Sequence, residues 1–188
     1  MLKDGTTNTV TGFYENYPGI HVPAGSTLTI QGGTAGTGTL TASSNGWGAG
    51  IGGGLDMPCG NITITGGTVT ATGGAQTAGI GSGSGGSCGN ITIASTVKKV
   101  TATKGEDAPY SIGAGVAGTC GTVTIGGTKY WENNAAVGDG DTYLAQAKIE
   151  YPAPAGITAA RAAYQGTNAP SQNWTKGASS MSTAPVWS

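Results

Sequence analysis

Three cysteines are the first candidates for chemistry. Cys59, Cys88 and Cys120 are separated by 29 and 32 residues, and each lies three residues ahead of a β-branched triplet: ITI at 62–64, ITI at 91–93 and VTI at 123–125. Thiols in such a column can form a disulfide or bind a soft metal. They can also be chemically silent, as a ladder of small buried apolar side chains. Parallel stacked Cβ vectors suit the disulfide torsion poorly, and three is an odd number. The expectation is therefore buried free thiols, with one disulfide or a thiolate–metal site as the alternatives.

Acid–base chemistry finds little to work with. The acids are Asp4, Glu15, Asp56, Glu106, Asp107, Glu132, Asp139, Asp141 and Glu150. A glycoside hydrolase needs two facing carboxylates, roughly 5–9.5 Å apart. Glu106 and Asp107 have no acidic partner in the coil above; the remaining close pair, Asp139-Gly-Asp141, suits a turn first and a structural calcium second. A lyase of the pectate type needs acidic calcium ligands and a basic residue, and the single arginine, Arg161, sits in an irregular segment. His21 has no nucleophile nearby to serve and reads as a surface or cap residue. The chain is expected to hold no catalytic residue and no cofactor, and not to be an enzyme.

A repeat positions these residues. Ile-Gly recurs at Ile51, Ile80 and Ile112, with Ile20-His21 ahead of them. LTI (28–30), ITI (62–64), ITI (91–93) and VTI (123–125) follow. TLTAS (39–43), TVTAT (68–72), VTAT (100–103) and KYWEN (129–133) complete the series. The Ile-Gly word is spaced by 31, 29 and 32 residues, and a period of that length marks a repeat architecture. The words are short, β-branched and bounded by glycine, so they are strands. Alternation turns Ile inward and Thr outward. The predicted fold is all-β: a right-handed parallel β-helix of about four coils of ~30 residues, three short strands each. Glycine serves its corners and narrow interior. The calcium β-roll needs an Asp in every repeat, which these repeats lack.

Residues 1–134 are assigned to the repeats, with a cap or partial coil over 1–19 in which TNTVTG is a strand. Residues 135–188 are assigned to an irregular segment that partly caps the end or links onward; TYLAQAKIEY (142–151) is a last strand or a short helix. Charged residues make up 9% of the chain and the net charge is −1, so no basic stripe for nucleic acid is present. No run approaches the roughly 20 apolar residues of a membrane span. MLKDGTTNTV lacks the regions of a signal peptide. Met1 therefore reads as a start placed on an excised module of a larger multidomain protein. Low charge and Thr, Asn and Gly richness suit a secreted or cell-surface setting.

What remains is surface. Stacking by register predicts an outer column of Thr41, Thr70, Thr101 and Trp131 beside Thr39, Thr68, Lys99 and Lys129. A second column precedes the Ile-Gly corner: Tyr17, Trp47 and Gln76, with Tyr14 near its start and Tyr110 at its margin. Sugar rings stack on flat aromatic faces while polar side chains meet their hydroxyls. The candidate ligand-binding residues are thus Tyr14, Tyr17, Trp47, Gln76 and Tyr110, with Lys129 and Trp131 on a rival face. Each exposed aromatic could equally shield a corner, but a group of them on a chain with so few is a stronger sign.

The stretches PAGSTLTIQG, GAGIGGG, CGNITITGGTVTATGG and CGTVTIGGTKYWEN, within about residues 5–133, resemble right-handed β-helix modules of surface and secreted proteins of gut Bacteroidetes. Some modules of that kind are carbohydrate-binding modules attached to plant-polysaccharide hydrolases, xylanases included. The resemblance implies non-catalytic binding of a polysaccharide, with xylan favoured, and carries no ligand residues onto this chain. A structural or adhesive β-helix of a cell-surface protein is the alternative; a catalytic β-helix and an ice-binding solenoid rank below it.

Overall fold

Short β-branched words separated by glycine form stacked strands. The structure, a computed structural model, describes residues 1–12 and 14–153; Arg161 and the rest of 154–188 lie outside the described residues. Strand β1 (Thr7–Thr11) precedes the first full coil. Coil 1 holds β2 (Ile20–His21), β3 (Thr27–Ile30) and β4 (Thr39–Ser43). Coil 2 holds β5 (Ile51–Gly52), β6 (Asn61–Ile64) and β7 (Thr68–Thr72). Coil 3 holds β8 (Ile80–Gly81), β9 (Ser87–Cys88), β10 (Ile91–Ile93) and β11 (Lys99–Thr103). Coil 4 holds β12 (Ile112–Gly113), β13 (Thr119–Cys120) and β14 (Val123–Ile125). After it come β15 (Thr128–Glu132), β16 (Ala135–Ala136), α1 (Gly140–Leu144) and β17 (Lys148–Tyr151).

Like strands pair with like, in parallel, giving the ladders β1-β4-β7-β11, β3-β6-β10-β14 and β2-β5-β8-β12, with β9-β13 as a short fourth. The product is a β-solenoid of about four turns. Register aligns Ile30, Ile64, Ile93 and Ile125, all buried, as the alternation predicts. Fully burying one such side chain is worth about 1.5–3 kcal/mol. The largest fully buried side chains are Ile, Leu and Val.

The Ile-Gly word has a steric cause. Gly52, Gly81 and Gly113 stack in register at φ of 138°, 138° and 128°. A Cβ on Gly52 would strike the Gly81 carbonyl oxygen, and one on Gly81 the Gly113 oxygen. His21 holds this position in coil 1 and is exposed.

The last coil departs from expectation. KYWEN does not stack on VTAT. Strand β15 instead doubles back antiparallel on β14, pairing Thr128 with Ile125 and Lys129 with Thr124. Coil 2 turns over three residues, 65–67, whereas coil 4 has only Gly126 and Gly127 between strands, at φ of 59° and 85°. Two left-handed glycines between strands make a hairpin turn. The place left on β11 is taken by β17, antiparallel, with Ile149 buried opposite Ala102. The segment 142–151 thus supplies the end of the short helix and the last strand. Met1–Pro152 form one compact unit.

The expectation of three free thiols is also corrected. Cys88 and Cys120 stand opposite one another in the β9–β13 ladder, Cα atoms 4.5 Å apart, and form a disulfide. Adjacent rungs are within bonding reach, so parallel stacking did not prevent it. Cys59 is left free and buried; burial pushes its thiol up to about 11, with a Gly89 backbone hydrogen bond opposing.

Candidate functional site

The corner between each TVTAT-type strand and the next coil collects the leading candidates. Its backbone column is fixed by hydrogen bonds. The carbonyls of Asn16, Trp47 and Gln76 accept from the amides of Leu55, Ser84 and Val116, at 3.0, 3.4 and 2.9 Å. Trp47 and Gln76 therefore occupy equivalent places on neighbouring coils, and Tyr17 follows Asn16 one coil before Trp47. The Ser44 hydroxyl donates to the Tyr17 carbonyl at 2.9 Å, tying the two coils together. Tyr14, Tyr17 and Trp47 are 63%, 41% and 37% exposed. The remaining exposed large hydrophobics among the described residues are Met1, Val10 and Val137, so the exposed aromatic surface is concentrated at this corner. Gln76, half-buried at φ 61°, continues the column.

Tyr110 does not belong to that platform. Its ring lies 5.3 Å from Trp131 at 59°, and its hydroxyl donates to Asp141 Oδ1 at 2.7 Å. Burial, with that hydrogen bond and the nearby charge, pushes the phenol up to about 12. Tyr130 and Tyr143 stack beside them, centroids 4.4 Å apart. All four rings are half-buried against the core. The Trp131 indole N–H is buried with no hydrogen-bond partner.

The rival face is dismantled by the same hairpin. Trp131 pairs with Val123 on β14 and is not in a column with Thr41, Thr70 and Thr101. Lys129 bonds Glu132 at 2.6 Å, away from Lys99. Thr101 lies opposite Glu150 and is buried. Glu150 accepts ion pairs from Lys148 at 2.8 Å and Lys99 at 3.3 Å, which hold its carboxyl below the usual range. The Gly126-Gly127 pair was the sequence signal for this hairpin; the repeat pattern outweighed it.

Asp139 occupies the N-cap position of α1, and Asp141 lies in its first turn. Among the described residues no group of three or more His, Cys, Asp or Glu side chains is placed to hold a metal, and no helix is long and apolar enough to cross a membrane.

Among the described residues, the exposed aromatic side chains of the solenoid thus gather at the corner of Tyr14, Tyr17 and Trp47. No family model, curated protein or solved structure matches the chain.

Proposed function

We propose that the chain is a non-catalytic carbohydrate-binding module for a plant cell-wall polysaccharide, xylan favoured. The observation that carries this is the grouping of exposed Tyr14, Tyr17 and Trp47 at one corner, while the other aromatic rings among the described residues are packed. Aromatic faces offer apolar area to the C–H faces of sugars. Gln76 continues the column and offers hydrogen bonds to the hydroxyls. With a net charge of −1, the partner is a neutral or weakly acidic chain. Such a module belongs to a secreted or surface-bound multidomain protein, and its scaffold carries no catalytic role.

Isothermal titration with xylo-oligosaccharides tests this. Affinity is expected in the micromolar-to-millimolar range, roughly −8 to −4 kcal/mol. Trp47→Ala is expected to remove about 1–3 kcal/mol, the scale of stacking a planar ring on an aromatic side chain. Full binding by both Trp47→Ala and Tyr17→Ala removes the aromatic corner as the site; no binding by the parent chain to any plant glycan overturns the reading and favours a structural β-helix.

A further inference from the structure

A different corner holds a cleft. Coil 2 turns from β6 to β7 in residues 65–67, while coil 1 takes 31–38 and coil 3 takes 94–98. One short corner between two long ones leaves a space of about 500 Å³, lined by Gln31, Thr34, Thr65, Thr96 and Lys98, with glycines between them. Walls two coils apart stand about 10 Å from each other at the usual strand spacing. A helix, about 10–12 Å across with its side chains, does not fit there; a sugar ring does. The floor, Gly66–Gly67, presents backbone only.

One wall is braced from outside. Asp4 accepts the amides of Ala35 and Thr37, each at 2.9 Å, and these bonds hold its carboxyl below the usual range. Its charge is directed at the loop's own amides. The Thr96 hydroxyl donates to the Thr65 carbonyl at 2.7 Å, and the Thr65 hydroxyl to the Ile30 carbonyl at 3.3 Å. Their protons point into the protein, so their lone pairs remain to accept from ligand hydroxyls. Gln31 can do both. Lys99, Lys129 and Lys148 each face a carboxylate, and Lys104 bonds the Pro109 carbonyl. Lys3 and Lys98 are exposed and make no ion pair among the described residues, and of the two only Lys98 lines the cleft.

One unpaired ammonium among hydroxyl acceptors matches one carboxylate flanked by hydroxyls. A phosphate dianion would call for a second cation or a nest of amides. We propose that this cleft binds the carboxylate-bearing sugar of an acidic glycan, a uronate, with Lys98 on the carboxylate and Gln31, Thr65 and Thr96 on the hydroxyls. The glycan-binding reading supplies the ligand class; the site is separate from the aromatic corner. The two lie at opposite ends of β4 and β7, five residues or about 17 Å apart. Outward Thr39, Thr41, Thr68 and Thr70 line the face between them, so one chain can cross both.

The test is a titration of the intact chain followed by amide chemical shifts, with glucuronate and with its methyl ester as probes. The amides of Gly32, Gly33, Gly36, Gly66 and Gly67 are the reporters. Glucuronate is expected to move them, and the ester at least about fivefold more weakly. Lys98→Ala should weaken glucuronate by a similar factor, and Trp47→Ala should leave the cleft response unchanged. Cleft amides that stay still, or that respond equally to acid and ester, overturn the proposal. If xylo-oligosaccharides still perturb the Trp47 corner in that case, only the uronate cleft is lost. A cleft response with no glycan ever engaging Trp47 supports the cleft and removes the aromatic site.

Discussion

Among the described residues, the first coils leave their aromatic rings partly or largely exposed, whereas the end of the solenoid folds its own into the protein. Tyr14, Tyr17 and Trp47 sit exposed where coils 1 and 2 turn. Tyr110, Tyr130, Trp131 and Tyr143 pack in two ring pairs beneath a hairpin and a short helix. The interior admits neither set, because Ile, Leu and Val fill it. An aromatic ring on this scaffold must lie outside, and what differs is whether later chain covers it. The same difference marks the braces. The C-terminal coils are joined by Cys88–Cys120 and closed by β17, while Cys59 at coil 2 is unpaired and β1 is an edge strand with five exposed residues. The covered end is braced by a disulfide and a closing strand, and the open end leaves rings and an edge strand exposed.

Breaking the ladder shared by both ends should cost most. Ile64→Asn places an amide in the fully buried middle of the Ile column, an expected loss of several kcal/mol. Chemical denaturation that finds it as stable as the parent would refute the inward assignment.

Removing the brace comes next. The disulfide closes a loop of 32 residues, worth about 3–4 kcal/mol by loop entropy. Cys88→Ala/Cys120→Ala should unfold at correspondingly lower denaturant. Thiol titration of the oxidised parent should find one thiol, Cys59, and only after unfolding. Three reactive thiols without reductant would remove the brace from the comparison.

The aromatic sets themselves should then separate. Trp131→Ala strips a half-buried ring from Tyr110 and the core, with an expected cost of about 2–3 kcal/mol. Trp47→Ala should cost under about 1 kcal/mol. Equal melting shifts for the two would erase the distinction between plug and platform.

The smallest effect is local. The Asp4 carboxyl titrates below its ordinary value because Ala35 and Thr37 donate to it. Its contribution is complete above the unfolded pKa of about 3.9 and is lost as pH falls through the lowered folded value. The Ala35 and Thr37 amide shifts should follow that titration and lose it in Asp4→Ala. A midpoint at or above 3.9 contradicts the two hydrogen bonds.

Much of the solenoid was legible because its determinants are local. Ile62-Thr63-Ile64 shows its inward face by alternation alone, and the Ile-Gly word carries its own steric reason. The first aromatic corner was legible because register extends directly from those words. The last coil was not. KYWEN looks like a fifth-residue strand word, and only the missing residue before Thr128 tells a hairpin from a corner. The partner of β11 came from Lys148–Tyr151, whose place depends on chain that follows the repeat. The cleft was not legible because it arises from differences in loop length between coils, while the repeat words show only what the coils share. Cysteine pairing hung on a choice between neighbouring rungs that spacing alone leaves open.

That choice has a consequence for how the bond behaves once formed. Cys59 neighbours Cys88 through backbone bonds, its amide to Ser87 and its carbonyl to Gly89. A third sulfur therefore sits on the rung next to Cys88, free and buried. Attack on the disulfide from there requires the Cys59 thiolate. Burial raises that thiol, which makes the thiolate scarce at neutral pH. Burial of this one cysteine thus withholds the nucleophile that thiol–disulfide exchange with Cys88–Cys120 would need.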